Sequence, residues 1–175
     1  MAERAAPPDV TIRLLMADDA PAYRIARLVA LRADPLAFLT TAKEFAARPV
    51  EDVASCLHPT AHAVTLGAFL DGVLVGLLTL VREEARIMAH RVNVYGVSVA
   101  PAARGRGLGD ALVEAGVEHA RTWPGVTVLN LAVMDTQTAA RRLYERHGFR
   151  VWGRQPDAVR RNGDIHAEDW MSRPV

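Results

Sequence analysis

The sequence predicts an α/β domain built around a mixed β-sheet of about six or seven strands. Two observations carry that prediction. Two apolar runs, 64–70 and 73–81, flank Asp71-Gly72, the dipeptide favoured in type I′ hairpin turns. From residue 91 onward, strand-like and helix-like segments then alternate. Taken in order, Ile12-Arg13-Leu14-Leu15 is a short first strand. Asp18 and Asp19 are helix-cap candidates, Pro21 suits a first helical turn, and that helix should run to about Arg32 before Asp34-Pro35 breaks it. A further helical stretch, interrupted at Pro49, is expected between about 43 and 57. The hairpin supplies the second and third strands. Residues 82–89 are polar and read as a loop, and the β-branched and aromatic run 91–99 as the fourth strand. Apolar positions recur at helical spacing from Leu108 to Trp123, where Pro124-Gly125 stops them. A buried-type strand at 126–133, a short helix at 136–146 ended by Gly148, and strands at 149–153 and 165–171 complete the order.

The chain has 175 residues, half of them hydrophobic, and no repeat or linker divides it, so one domain over 1–175 is expected, with 1–9 a flexible lead. Lys plus Arg number 21 against 20 Asp plus Glu, which gives no long-range attraction to nucleic acid or to an anionic membrane. Cys56 is the single cysteine, so no internal disulfide can form. The first ten residues have no apolar signal region, and the longest apolar run is far short of a membrane helix, which places the expected protein in the cytoplasm. His58, His62, His119, His147 and His166 are scattered without ligand spacing, so no metal is expected.

The chemistry concentrates at Arg104-Gly105-Arg106-Gly107-Leu108-Gly109, between a strand and a helix. Unpaired N–H groups and the positive dipole end of a helix favour an anion there, glycines admit close backbone approach, and Arg104 and Arg106 add cationic donors. A loop of this kind standing alone is more often an ordinary tight turn. The spacing is G-x-G-x-G, not the dinucleotide G-x-G-x-x-G, and no Gly-Lys-Ser/Thr of a P-loop follows. Further on, Gln137, Ala140 and Tyr144 share one face of the short helix.

Val97-Ser98-Val99-Ala100-Pro101 followed by Arg104-x-x-Gly107-x-Gly109 closely resembles the cofactor signature of the GNAT N-acetyltransferase superfamily. Residues 137–149, ending Leu143-Tyr144-Glu145-Arg146-His147-Gly148-Phe149, resemble its second cofactor element, with Gln137 where the family usually has Asn. Leu31-Arg32-Ala33-Asp34-Pro35-Leu36-Ala37-Phe38 and His90, six residues before Gly96, resemble a bacterial subgroup of the same family. The resemblance implies a mixed sheet flanked by helices, with strands four and five splayed into an acetyl-CoA cleft. It implies that Val97, Ser98 and Val99 pair with the pantetheine arm, and that N–H groups of Gly105, Arg106, Gly107, Leu108, Gly109 and Asp110 hold the pyrophosphate. Gln137 and Ala140 would border the cofactor, Tyr144 would protonate the departing thiolate, and Tyr23 and Phe38, with Phe45, would line the acceptor wall.

A protonated amine must lose a proton before it attacks a thioester, since alkyl amines have pKa near ~10.4. Many relatives carry a Glu on strand four for this, whereas residues 91–99 contain no acid and Asn93 stands where a carboxylate could have been. His90 is the leading alternative, with Glu83 and Glu84 behind it and a water chain as a further route. The expected acceptor is a primary amine of a small molecule; a peptide N-terminus or lysine is the near alternative, and a non-catalytic acyl-CoA sensor the distant one. Dimers are common in the superfamily, and nothing in the sequence selects between monomer and homodimer.

Overall fold

The structure, a computed structural model, describes residues 9–175, so the expected flexible lead falls outside the described residues apart from Asp9. Strand β1 (Val10–Leu14) leads through a tight turn into helix α1 (Ala20–Ala33), with Pro21 in its first turn as expected. Arg13 forks onto both carboxylate oxygens of Asp19, each at 2.7 Å, and so fixes the angle between strand and helix. Pro35 ends the helical path, and a short turn at Pro35–Ala37 carries the chain to α2 (Ala42–Ala46). There Thr41 and Glu44 cap each other: the Glu44 N–H donates to Thr41 Oγ1 (3.2 Å), and the Thr41 N–H to Glu44 Oε2 (2.7 Å). Helix α3 (Val50–Leu57) follows Pro49.

Strands β2 (Ala63–Leu70) and β3 (Val73–Arg82) form the expected hairpin, with Asp71 at φ 49° and Gly72 at φ 78°. Strand β4 (Arg91–Val99), helix α4 (Leu108–Arg121), strand β5 (Val128–Met134) and helix α5 (Thr138–Arg146) follow close to their expected bounds. The last two strands depart from expectation. Instead of short segments at 149–153 and 165–171, β6 (Arg150–Arg161) and β7 (Asp164–Pro174) make a long ribbon. The charged run 154–161 reads as a loop because the ribbon is solvated along most of its length, and Pro156 falls where the pairing shifts between Gln155 and Val159. The turn itself is signposted by Asn162 (φ 55°) and Gly163 (φ 91°), the Asn-Gly dipeptide of a type I′ hairpin.

All seven strands share one sheet in the order β1-β2-β3-β4-β5-β7-β6, antiparallel throughout except for the parallel pair β4–β5. Alternate residues of its inner strands face opposite layers. Leu78, Leu80, Val92 and Val94 face α4 and α5 with Leu112 and Val117, while Leu77 faces α1–α3 with Leu31, Phe45 and Leu57. Because β3 is buried on both faces, its sequence is nearly continuously apolar.

Helix α5 is tied down by charge. Asp169 of β7 is 3% exposed and accepts from Arg141 of α5 at 2.6 Å and from Arg154 of β6 at 2.9 Å. The two arginines stay about half exposed and can return to water, so removing the acid should cost less than breaking a fully buried pair. Asp169→Ala is expected to destabilise the fold by about 1–3 kcal/mol, read as a thermal midpoint lowered by roughly 2–4 °C per kcal/mol. Arg154→Ala, which leaves Asp169 bonded to Arg141, should cost less.

Candidate active site at the parting of two strands

Strands β4 and β5 pair only from Arg91–Asn93 to Val128–Asn130, after which they part. Beyond that point β4 bonds only to β3 and β5 only to β7, leaving two strand edges facing a widening gap. The cause lies in β4. Leu77 pairs with Ser98 and Thr79 with Tyr95, so β4 carries one residue more than β3 over that step, and Gly96 absorbs it at φ 64°. The bulge also reverses side-chain parity: Val92 and Val94, then Val97 and Val99, all face α4 and α5. At the last paired rung Asn130 is 6% exposed, and among the described residues its Nδ2 has no partner, a buried donor left unsatisfied.

At one end of the gap stands the glycine-rich loop. Gly105 and Gly107 both have φ 76°, and a side chain built on either would meet no atom within 4 Å, so the backbone lies open. Gly107 caps α4, whose first N–H groups, at Leu108, Gly109 and Asp110, precede its hydrogen-bonded turns. Arg106 is exposed. Arg104 is committed elsewhere: its Nε donates to the Val99 carbonyl at 3.0 Å and its Nη2 to the Asp34 carboxylate. The Asp110 side chain is likewise held, by Arg146 (2.9 Å) and His147 (3.1 Å), so its contribution to the loop is its backbone.

Helix α5 borders the gap from the same layer. Gln137 precedes the helix, with no cap bond from its side chain, and Ala140 packs on the core. Tyr144 is 7% exposed, edge-on to Phe149 at 5.9 Å, and shares an apolar hollow with Val94 and Leu131, the first residues past the paired rungs. Burial pushes its phenol well above its ordinary pKa, so it stays protonated.

The opposite layer contributes α1 and the segment 34–38. Arg161, from the end of β6, donates to the carbonyls of Pro35 and Phe38, Asp34 holds Arg104, and the Pro35–Ala37 turn touches β5. The segment is thus a strap across the gap, fastened at both sides. Phe38 is buried beneath the Arg27 guanidinium, 4.4 Å from its ring centre. Tyr23 packs edge-on to Phe45 (6.2 Å) and lines a cavity of about 120 Å³ with Arg48, Thr65 and Thr79. The candidate bases are separated. Glu83 Oε1 accepts from Asn93 Nδ2 at 2.8 Å, which brings a carboxylate to β4 at the last paired rung, where the gap begins, while Glu84 is exposed. His90 is exposed at the closed end, where its carbonyl accepts from Thr127 (2.9 Å), and it lies roughly 20 Å of strand from Gly96 at ~3.3 Å per residue. The gap does not include it.

The sequence profile of the acetyltransferase (GNAT) family matches residues 28–149, which hold the parted strands, the glycine loop and Tyr144. The chain belongs to the GNAT acetyltransferase family. A mycothiol acetyltransferase of Salinispora tropica is 46% identical over 81 residues, 46% of this chain and 26% of the relative. An L-amino acid N-acetyltransferase of Escherichia coli is 29% identical over 108 residues, 62% of this chain and 66% of the relative. This GNAT chain therefore aligns with less than two thirds of either relative. A Salmonella typhimurium protein described as an acetyltransferase, solved with its cofactor acetyl-CoA, shares the GNAT fold at TM-score 0.82 and 20% identity, over 95% of this chain and 94% of that one. Among the described residues of the GNAT chain, no helix is long and apolar enough to cross a membrane, and no cluster of three His, Cys, Asp or Glu is placed to hold a metal.

Sequence reading missed Asn130 and Arg27. Asn130 is the one polar residue in Val-Leu-Asn-Leu-Ala-Val-Met, a signal that was available; Arg27, four residues after Tyr23, follows that residue on the same helix face. Gly96→Ala is expected to cost about 1–2 kcal/mol for a left-handed non-glycine residue, measured by denaturant unfolding. It should also displace Arg27, whose Nη1 lies 3.3 Å from where the new Cβ would stand.

Proposed function

We propose that the chain is an acetyl-CoA-dependent N-acetyltransferase whose acceptor is the primary amine of a small molecule. The observation that carries this reading is the gap between β4 and β5, with an open glycine loop at one end and a buried tyrosine at its side. When bound, acetyl-CoA supplies a thioester whose carbonyl carbon takes the amine and whose sulfur leaves. The open β4 edge at Val97, Ser98 and Val99 offers N–H and C=O groups to the amide-bearing pantetheine arm, as a further strand would. The N–H groups of residues 105–110 face the pyrophosphate, assisted by Arg106, while Arg104 holds the strap instead. Gln137 and Ala140 leave room beside the arm. The unpartnered Asn130 amide and the backbone N–H groups about the Gly96 bulge would supply the donors for the thioester oxygen.

Two residues handle protons. Glu83, held over β4 by Asn93, receives the amine's proton directly or through water. Tyr144 donates a hydrogen bond to the departing sulfur. A phenol raised above its usual ~10 does not release its proton outright to a thiolate whose thiol has pKa ~8.5. Its contribution is therefore the bond it donates while the thiolate forms, with solvent completing the transfer. The strap across the acceptor side narrows the approach, which suits a small acceptor better than a polypeptide. The relatives' names, mycothiol acetyltransferase and L-amino acid N-acetyltransferase, support the same choice.

Steady-state CoA release over a panel of amines and short peptides tests the reading. Turnover on small amines is expected; acetyl-CoA binding without turnover on any acceptor would favour a sensor, and turnover on peptides alone a protein acetyltransferase. Tyr144→Phe should lower kcat about 100-fold with little change in acetyl-CoA affinity by calorimetry. Gly107→Val, which puts a branched side chain at positive φ into the space left for phosphate, should weaken acetyl-CoA about 10-fold or more. Because the Tyr144 phenol is raised, kcat should show no falling limb below about pH 10. Glu83→Gln should depress kcat/KM most near neutral pH and progressively less toward the amine's own pKa of ~10.4.

A further inference from the structure

The arginines of this protein are mostly spoken for. Arg13, Arg104, Arg121, Arg141, Arg146, Arg154 and Arg160 face carboxylates, and Arg24, Arg82, Arg161 and Arg173 donate to backbone carbonyls. Arg27 is different. It is half-buried on α1, over the buried Phe38 ring with its Cζ 4.4 Å from the ring centre, and among the described residues no carboxylate or carbonyl accepts from it. Burial lowers its affinity for its own proton, the mark of a cation taken from water without an anion in return. Such a group costs stability wherever it lacks a partner.

Its position says where the partner comes from. The guanidinium lies against the β4 bulge: a Cβ on Gly96 would stand 3.3 Å from Arg27 Nη1 and 3.9 Å from Cζ. The cofactor's phosphates belong at 105–110, past the end of β4, which is three residues or ~10 Å of strand beyond Gly96. The pantetheine arm carries no charge. The anion expected at Arg27 is therefore one that the acceptor brings.

Resting on the proposed amine acetylation, we propose that Arg27 is the acceptor's carboxylate receptor, and that the substrate is an α-amino acid or a similar molecule with a carboxylate adjacent to the reacting amine. The guanidinium edge offers two parallel N–H groups, which fit a carboxylate at ~2.8 Å each, while the Phe38 ring packs against the guanidinium. A carboxylate so held leaves an amine one carbon away beside the Gly96 bulge, where the thioester carbonyl is presented. Attack, proton loss toward Glu83 and thiolate departure then proceed as in any amine acetylation, with the carboxylate unchanged.

The test pairs each amino acid with its own carboxamide; because losing the carboxylate also lowers the amine's pKa, kcat/KM is compared per unprotonated amine, from profiles taken across pH. For the wild-type protein, kcat/KM is expected to favour the free acid about 10- to 100-fold, mostly through KM. Arg27→Gln should bring the acid-to-amide ratio near one by raising KM for the acid, and Arg27→Lys should restore part of it. Circular dichroism and acetyl-CoA affinity of both variants check that the fold and the cofactor site are intact, and the wild-type comparison stands even where a variant fails to fold. Equal wild-type kcat/KM for acid and amide would overturn the proposal while leaving amine acetylation in place. So would a loss of kcat in Arg27→Gln that is the same for both, which would make Arg27 part of the machinery polarising the thioester. No transfer to any amine, with acetyl-CoA still bound, would remove the underlying reading and this proposal with it.

Discussion

One extra residue in β4 governs the rest of the architecture. A parallel pair of strands fed by neighbours on both outer edges would ordinarily zip along its whole length, because each unmade rung leaves backbone groups without partners. Gly96 prevents that by taking the surplus residue at positive φ, which bends β4 away from β5 after three rungs. The same bulge shifts the facing of the strand, so that Val97 and Val99 continue the core begun by Val92 and Val94. The strand thereby keeps its apolar contacts on one side while opening its polar edge on the other. An amide-bearing ligand can then complete a sheet that the protein leaves unfinished.

Holding such a gap open requires both walls to be fixed from outside it. On the β5 side, β7 pairs along the full length of β5, and Asp169 gathers Arg141 and Arg154 so that α5 cannot swing Tyr144 away. On the β4 side, Arg104 links the strand's end to Asp34, and Arg161 reaches from the end of β6 to the carbonyls of Pro35 and Phe38. The long β6–β7 ribbon is thus more than an edge. It carries the cation that fastens the strap, which accounts for a strand that continues well past the width of the sheet.

What could be read from the sequence was what is local in it. The Asp71-Gly72 hairpin, the glycine loop at 104–109 and the helix ending at Gly148 each declare themselves within a few residues, and the structure places them as expected. The β6–β7 ribbon was also declared locally, by Asn162-Gly163, but its charged flank concealed the strand, because a solvated two-stranded ribbon has no buried face to impose alternation. Pairings between distant segments left no trace. The sequence offers Arg104 as a phosphate ligand and His90 as a base, and carries no sign of the Asp34 carboxylate that Arg104 meets or of the exposed position of His90 at the closed end of the gap. Glu83 was one of two adjacent acids in a polar loop; contact with Asn93 singles it out, and that contact depends on the register of β3 against β4.

That register also bears on why β4 carries no acid. Tyr95 pairs with Thr79, which faces α1–α3, so an acid in place of Tyr95 would point into the layer that holds Arg27. At the bulge, where the guanidinium lies 3.3 Å from the place a Gly96 Cβ would take, it would compete for that cation as a permanent partner. A receptor for a substrate carboxylate cannot be kept beside a resident one. On the proposed reading the proton acceptor comes from the end of β3, steadied by the neutral amide of Asn93, which separates the two charges along the strand. On the proposed reading, the missing strand-four acid is therefore the condition under which an acidic acceptor can be recognised by Arg27.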